Sequence, residues 1–291
     1  MDMILKLLIY TLITGTVYCI IALGFSLVFG VAEILNLTHG LYYVLAGYLV
    51  YTFFVLVNNL YIAIVLAIVG TTVFGALTYL IIYRVMDSGF KVLLATFAIC
   101  GAVSEILFMT YGVSPIGLPN IIDGRITIFG VPVIKQAVLA AVVSLFVLSV
   151  FIYLLNKTDI GRAMKAVSQN TEIAKLSGIN INRIKGMTVI IAALLASIAG
   201  VFYLPLQSMR PELWMKITVL SFVIVVLGGM GTVKGVLASY IIAFTEYATT
   251  LAFAEGSYVK EGIYLLIMIV ILMFRPQGLF GKSLGPLEVQ I

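Results

Sequence analysis

The stretch ILKLLIYTLITGTVYCIIALGFSLVF, residues 4–29, is the longest of nine apolar segments in this chain, and Lys6 is its only charged residue. A helix crosses the hydrocarbon core of a bilayer, about 30 Å thick, with about 20 mostly apolar residues. The apolar core of a signal peptide is shorter, at about 7–15 residues. We therefore expect residues 4–29 to form the first membrane-spanning helix and to stay in the mature protein.

Eight further apolar segments follow, separated by polar stretches. They lie at 41–57, 60–83, 90–111, 135–155, 188–206, 217–227, 235–253 and 261–274. With 63% apolar and 10% charged residues and a mean hydropathy of +1.20, a chain of 291 residues cannot hide its apolar surface in a soluble core. The sequence predicts an all-α polytopic membrane protein. We expect a single transmembrane domain over residues 1–291 with about eight or nine membrane helices.

Two stretches interrupt the apolar pattern and predict broken or re-entrant helices, namely VAEILNLTHGLYY at 31–43 and GGMGTVKG at 228–235. The candidate residues of a translocation path or of the breaks are Glu33, Asn36, Thr38, His39, Gly40, Gly228, Gly229, Gly231 and Gly235. Polar backbone at membrane depth must be buried in protein or line a water-filled cavity, unless the break is a surface loop. His39 then either lines the path or satisfies a carbonyl freed by the break. The glycines favour tight helix packing over substrate contact.

Two carboxylates, Glu105 and Glu246, lie inside apolar segments. An ionisable side chain is costly there and usually faces the bundle interior or water. Such carboxylates would serve an ion- or proton-coupled secondary transporter, which is one interpretation of this chain. A membrane scaffold or receptor without transport of its own is another.

No catalytic, nucleotide-binding or metal site is expected in this chain. His39 is the only histidine, and Cys19 and Cys100 lie within apolar segments without metal-ligand spacing. GKS at 281–283 ends like a phosphate-binding loop, but Pro276 occupies the position of the first glycine of that pattern. We therefore expect no enzyme activity and no cofactor in the chain itself.

The longest polar stretch, GRAMKAVSQNTEIAKLSGININRIKG at 161–186, belongs to an insert at about 156–187. The insert carries six basic residues against two acidic ones, a net charge of +4, in a chain whose net charge is +5. Basic loops of membrane proteins face the cytoplasm, which explains these charges more simply than nucleic-acid binding does. The rule predicts a cytoplasmic insert and C-terminus, with the N-terminus and the loop at 111–132 outside.

The insert shows the pattern of a helix that begins at Thr158 or Asp159 and ends at Gly178. Small and apolar residues recur at three- and four-residue intervals, at Ala163, Ala166, Val167, Asn170, Ile173, Ala174 and Ser177. A helix that lies on lipid usually carries larger apolar residues. We expect this face to dock onto a cytosolic protein, the alternative being an ordinary solvated loop helix.

Four patterns occur in a fixed order along the chain. They are GFSLVFGVAEILNLTHG from Gly24 to Gly40, RAMKAVSQNTEIAKLSGIN from Arg162 to Asn180, GGMGTVKG from Gly228 to Gly235 and RPQGLFG from Arg275 to Gly281. In order and spacing the chain resembles the permease subunits of branched-chain amino acid ABC importers, the LivH type. The match extends over nearly the whole chain.

The resemblance implies a permease domain whose insert is a coupling helix, seated in a cleft of a separate ATPase. The positions matching the family pattern of that helix are Gly161, Arg162, Ala163, Asn170, Ala174, Gly178, Ile179 and Asn180. The implied partners are a second, LivM-like permease, two LivF/LivG-like ATPases that hold ATP and magnesium, and an extracytoplasmic substrate-binding protein, in a prokaryotic cytoplasmic membrane. Leucine, isoleucine and valine are the expected substrates, and urea, short amides and other amino acids stay open.

Overall fold

The structure, a computed structural model, describes residues 2–32, 35–83, 88–229, 234–253 and 256–279. Its helices are α1 Asp2–Ala32, α2 Thr38–Val57, α3 Leu60–Thr78, α4 Gly89–Tyr111, α5 Lys135–Lys157, α6 Asp159–Gln169, α7 Thr171–Leu176, α8 Ile181–Tyr203, α9 Leu213–Gly228, α10 Ala238–Ala252 and α11 Gly256–Phe274. A π-helical turn, Tyr79–Tyr83, continues α3, and 3-10 turns at Leu204–Leu206 and Lys234–Leu237 follow α8 and precede α10. Two strands, β1 Arg125–Ile128 and β2 Val131–Ile134, lie between α4 and α5.

Each of the nine apolar segments forms a helix, so the prediction of an all-α polytopic membrane protein is confirmed. Among the described residues, α1, α2, α3 with its π turn, α4, α5 and α8 are long and apolar enough to cross a membrane. The helices α9 and α10 have 16 and 15 residues. At 1.5 Å per residue they are about 24 and 22 Å long, shorter than the hydrocarbon core of about 30 Å. They lie on either side of the glycine-rich break at 228–235.

The first helix, α1, lies at the centre of the bundle. Its most apolar window is 89% buried by the protein, against 22% for α3 and α5 and 28% for α4. It packs against α5, α8, α9 and α10, while α2 packs against α3, α8 and α9. A helix that is apolar on all sides is stable where protein or lipid covers every side. Here protein covers the most apolar window of α1 almost completely, whereas Ile4, Leu8 and Leu12 near its start are 48–64% exposed.

Glycines bring the central helices close together. A Cβ atom added at Gly200 in α8 would overlap the carbonyl oxygen of Tyr43 in α2. One added at Gly40 in α2 would overlap the carbonyl oxygen of Trp214 in α9. Without a strong hydrophobic drive between helices in lipid, small residues promote association because they let backbones approach.

Both cysteines, Cys19 and Cys100, are buried and not joined by a disulfide bond.

The antiparallel hairpin of β1 and β2 is an addition to the predicted helical fold. Its turn places Phe129 at φ 48° and Gly130 at φ 85°, the left-handed conformation that tight two-residue hairpin turns require. Val131 and Val133 of β2 pack with Ile13 of α1, so the hairpin lies beside the N-terminal half of the central helix.

We predict that Gly200→Ala destabilises the bundle by about 1–3 kcal/mol, because the new Cβ overlaps Tyr43 and α2 and α8 must move apart. The melting temperature of the purified protein in detergent measures this effect. The matched control is Gly101→Ala on α4, where a Cβ meets nothing within 4 Å. Equal melting temperatures for the two variants would contradict the close contact of α2 and α8.

Candidate functional site

The polar insert forms two short helices, α6 and α7, instead of the single helix that the sequence predicted. Thr158 caps α6, as expected, because its hydroxyl accepts a hydrogen bond from the Gly161 N–H at 3.2 Å. Asn170 has extended backbone, which ends α6, and its side chain accepts from the Ile173 N–H at 2.9 Å, which starts α7. The prediction that Asn170 lies on the face of one continuous helix is therefore wrong. Asparagine is a preferred N-cap, and here it outweighs the apolar periodicity.

The end of the insert is built by Gly178 and Asn180. Gly178 has φ +82° and donates to the Lys175 carbonyl at 3.1 Å, while Ile179 donates to the Ala174 carbonyl at 3.1 Å. Left-handed glycine is a common helix terminus, so the predicted stop at Gly178 is confirmed. Asn180 then caps α8 by accepting from the Arg183 N–H at 3.1 Å.

One side of the insert packs against the chain's own membrane helices. Gly161, Met164, Val167 and Ala174 are buried, and a Cβ at Gly161 would lie 2.5 Å from the Leu155 Cα. The helix α6 contacts α1, α5 and α8, whereas α7 contacts α6 and α8. The expectation that Val167 and Ala174 are open to a partner is therefore wrong, because small residues on α6 and α7 serve close packing inside the protein itself.

The exposed side of the insert combines two large apolar side chains with basic ones. Ile173 is 61% exposed and Leu176 88% exposed. Lys175 lies between them and is also exposed. Arg162 forms an ion pair with Asp159 on α6, which contributes little to stability because both side chains are well exposed. Exposed Ile173 and Leu176 on a basic insert favour a protein contact at α7.

The first break, between α1 and α2, is held by side-chain hydrogen bonds. The Asn36 Oδ1 accepts from the Thr38 N–H at 3.0 Å and lies 2.5 Å from the Thr38 hydroxyl. The Leu37 N–H donates to the Thr96 hydroxyl at 3.4 Å, and the Thr218 hydroxyl lies 3.2 Å from the Leu37 carbonyl. Asn36 and Thr38 are buried, so side chains replace water around this backbone.

His39 bonds to the middle of the central helix. Its Nε2 lies 2.8 Å from the carbonyl oxygen of Ile21 in α1, an acceptor for which Nε2 must carry the proton. The alternative in which His39 satisfies a carbonyl freed by the break does not hold, since Ile21 belongs to an intact helix. A Cβ at Gly24 would lie 2.7 Å from the His39 ring, so Gly24 leaves the space that the ring occupies.

The second break brings two glycine-rich patterns together. A Cβ at Gly228 would overlap the backbone of Gly235, and Gly229 has φ +102°. Gly278 packs on the backbone of Gly229, and the Leu279 N–H donates to the Leu227 carbonyl at 2.7 Å. Glu33 of the first break and Gly231 of the second lie outside the described residues.

The two carboxylates within apolar segments have opposite surroundings. Of the two surroundings expected for a carboxylate in an apolar segment, Glu105 does not have the bundle interior, because it lies on the exposed surface of α4. Glu246 in α10 is inside the bundle. Its carboxylate accepts a hydrogen bond from the Tyr18 hydroxyl at 2.7 Å and forms an ion pair with Lys260 of α11.

Comparison with known proteins identifies the family. The family model described as "Branched-chain amino acid transport system / permease component" matches residues 7–272. This chain belongs to that permease family. It is 25% identical to the high-affinity branched-chain amino acid transport system permease protein BraD of Pseudomonas aeruginosa, over 96% of each chain. It is 26% identical to LivH of Escherichia coli K12, over 92% of each chain, and 28% identical to the probable permease LivH of Methanocaldococcus jannaschii, over 93% of this chain and 90% of that one. No solved structure matches.

Sequence reasoning missed the partners of Glu246 in this permease. Lys260 and Glu261 lie at the start of the last apolar segment, and Lys216 precedes another. In the sequence, charged residues at these positions indicate only where a membrane helix begins. The structure instead pairs Lys260 with Glu246, and Lys216 with Glu261 at 2.6 Å. The sequence did contain one signal. Lys216 and Lys260 precede apolar segments on the predicted outer side of the membrane, where the positive-inside rule leads us to expect few lysines.

We predict that Asn36→Ala lowers the stability of the permease by about 1–3 kcal/mol, because the buried Thr38 N–H loses its acceptor. Thermal unfolding of the purified permease measures the loss. Asn120→Ala, in the exposed loop before the hairpin, is the control and should stay within about 0.5 kcal/mol of the native protein. If Asn36→Ala melts with the control, the break does not depend on this side chain.

Proposed function

We propose that this chain is the permease subunit of an ATP-binding-cassette importer and forms part of the translocation pathway for branched-chain or related hydrophobic amino acids. Membership of the permease family supports the transport role. The chain would reside in the cytoplasmic membrane with its N-terminus outside and its C-terminus in the cytoplasm. Its partners would be a second, LivM-like permease, two LivF/LivG-like ATPases carrying ATP and magnesium, and an extracytoplasmic binding protein.

The attachment of α7 to the membrane helices is the observation that supports the coupling role. It presents Ile173 and Leu176 to the exterior on a basic surface. It is attached through α6, which packs on α1, α5 and α8. An ATPase that binds α7 would therefore act on the central helix α1 through α6. This sequence has no complete phosphate-binding loop of the G-x-x-x-x-G-K-[ST] type. The energy for transport would therefore come from ATP bound by a separate ATPase subunit.

The mounting of α6 suits alternating access. Met164 and Lys165 of α6 line a narrow cavity, of about 70 Å³, together with residues between Leu23 and Val31 of α1. The free space between α6 and the second half of α1 is thus small. Packed helices shift between discrete arrangements when a partner binds one arrangement more tightly than the other. An ATPase whose cleft closes around α7 when it binds ATP would provide that difference in affinity.

The charge of the insert supports the orientation. It joins the C-terminal end of α5 to the N-terminal end of α8, at the opposite end of these helices from the hairpin and the Leu204–Leu206 turn. A net charge of +4 over residues 156–187 favours the cytoplasmic side for this end. The hairpin end would then meet the extracytoplasmic binding protein.

We predict that the double variant Ile173→Glu/Leu176→Glu loses co-purifying ATPase subunits and ATP-driven leucine uptake by about tenfold or more, since an interface anchor contributes about 2 kcal/mol or more. Both side chains are exposed, so the permease itself should fold normally. The measurements are quantitative mass spectrometry after mild-detergent purification from native membranes, and uptake into proteoliposomes that contain ATP.

The control for this experiment is Val113→Glu/Phe129→Glu, which adds the same charge at exposed apolar residues of the opposite end. It should keep the co-purifying ATPases, and ATPase recovery is the readout compared for this control because the hairpin end would meet the binding protein. Normal ATPase recovery with the α7 variant would contradict the coupling role. Uptake that needs no ATPase and follows an ion gradient would identify a secondary transporter instead.

A further inference from the structure

Two cavities inside the bundle meet at one ion pair. The smaller, of about 270 Å³, lies among α1, α5, α8 and α10, and the larger, of about 310 Å³, lies among α1, α9, α10 and α11. Gln207, Glu246 and Lys260 line both. Ligand pockets in proteins are commonly of about 300–1,000 Å³, with a few fixed polar groups among apolar walls. The size and lining of this pair of cavities match that class.

The charges at the junction are held in place. The Glu246 Oε2 accepts from the Tyr18 hydroxyl at 2.7 Å, and its Oε1 accepts from the Lys260 ammonium group. The side chains of Glu246 and Lys260 are only 13% and 20% exposed. Of the three N–H donors of Lys260, Glu246 uses one among the residues that the structure describes. Both charged groups thus have a fixed position and capacity for a second partner.

A second layer of hydroxyl groups fixes the smaller cavity. The Thr14 hydroxyl lies 3.1 Å from the Tyr203 hydroxyl and 3.0 Å from the Tyr247 hydroxyl. These three residues come from α1, α8 and α10 and all line the cavity. The hydrogen bonds hold the three helices around Glu246, so the carboxylate has a preformed setting.

The larger cavity has an apolar wall beside the charges. Leu213, Ile217 and Leu220 recur at helical spacing on α9 and line it together. Lys216 lines it as well and pairs with Glu261 at 2.6 Å. The site therefore offers one acidic and one basic group at one end, an aliphatic surface alongside, and no net charge from its two ion pairs.

We propose that Glu246 and Lys260 form a binding site for the zwitterion of an aliphatic amino acid on its way through the membrane, with the α9 wall around the side chain. The α-ammonium group pairs with Glu246 and the α-carboxylate with Lys260. Every charge then stays paired, which the low dielectric of a membrane protein demands. This inference rests on the proposed transport function and names the substrate chemistry that the permease itself recognises.

The position of the site fits a transport path. Its lining includes Ile134 at the end of β2, Ala137 at the start of α5 and Tyr203 at the end of α8, far along these helices from the insert. The helix α1 contributes Tyr18 to the site and packs its later residues against α6. Movement of the insert is thus connected through one helix to the carboxylate.

A third cavity, of about 340 Å³ between α5 and α8, does not compete for this role. Its lining is apolar apart from Thr158 and includes Phe146, Phe151 and Ile191. It has no charged lining residue and so nothing that would distinguish a zwitterion from a hydrocarbon.

The test uses the complete permease–ATPase complex in nanodiscs, without the delivery protein, and measures leucine binding by saturation-transfer NMR. The variant Glu246→Gln/Lys260→Gln removes both charges without leaving an unpaired ion. We expect its leucine affinity to fall by about tenfold or more. The control, Asp123→Asn/Lys135→Gln, removes one exposed acidic and one exposed basic group at the same end of the bundle and should bind leucine normally.

The single variants give a readout that does not depend on the folded fraction, because two ligands are compared in one sample. Glu246→Gln should weaken leucine more than 4-methylpentanoate, which lacks the amino group. Lys260→Gln should weaken leucine more than 3-methylbutylamine, which lacks the carboxylate. Unchanged ligand ratios in both single variants would show that the pair is merely structural and overturn the site.

ATP-driven leucine uptake by the native complex in proteoliposomes, with the extracytoplasmic binding protein added, distinguishes a failure of the zwitterion site from a failure of the proposed function. If that uptake is present and the neutral double variant binds leucine as the native complex does, the zwitterion site is wrong and the proposed function stands. If the native complex shows no ATP-driven uptake of any branched-chain amino acid, the proposed function is wrong and this inference falls with it.

Discussion

A buried helix break has no water for its free backbone groups, and the fold around α1 depends on how this chain solves that constraint. Asn36 supplies the acceptor for the Thr38 N–H, while Thr96 of α4 and Thr218 of α9 approach the two polar groups of Leu37. The break therefore ties α2 to two other helices. It also sets where α2 begins, and with it the level at which His39 reaches the carbonyl of Ile21.

Close contact between helix backbones also holds the fold around the two breaks together. Gly40 of α2 lies against α9, Gly200 of α8 lies against Tyr43 of α2, and Gly228 lies against Gly235 at the other break. A side chain at any of these positions would separate the helices that carry the hydrogen-bonding groups. Glycine costs helix stability in water, but in lipid the gain from close packing offsets that cost. The glycines at these positions of the chain thus have a packing reason.

The helix α1 joins the two ends of the molecule that matter for the proposed transport. Tyr18, near its midpoint, donates a hydrogen bond to Glu246 of the Glu246–Lys260 pair, and its residues between Leu23 and Val31 lie beside α6 of the insert. Because other helices bury α1 over residues 13–28, a displacement of α6 would act on protein around this part of the helix and not on lipid. The movement that an ATPase imposes on α7 and the affinity of the Glu246–Lys260 pair for substrate would then be linked through α6 and α1.

The sequence alone determined the nine apolar helices, the two breaks, the cap at Thr158 and the stop at Gly178, because length, hydropathy and capping chemistry act locally along the chain. It did not determine which face of α6 and α7 is exposed, that Glu105 lies outside the bundle while Glu246 lies within it, or that Lys260 is the partner of Glu246. Those outcomes depend on which helices become neighbours. Residues far apart in sequence decide that by packing, and no local pattern contains it.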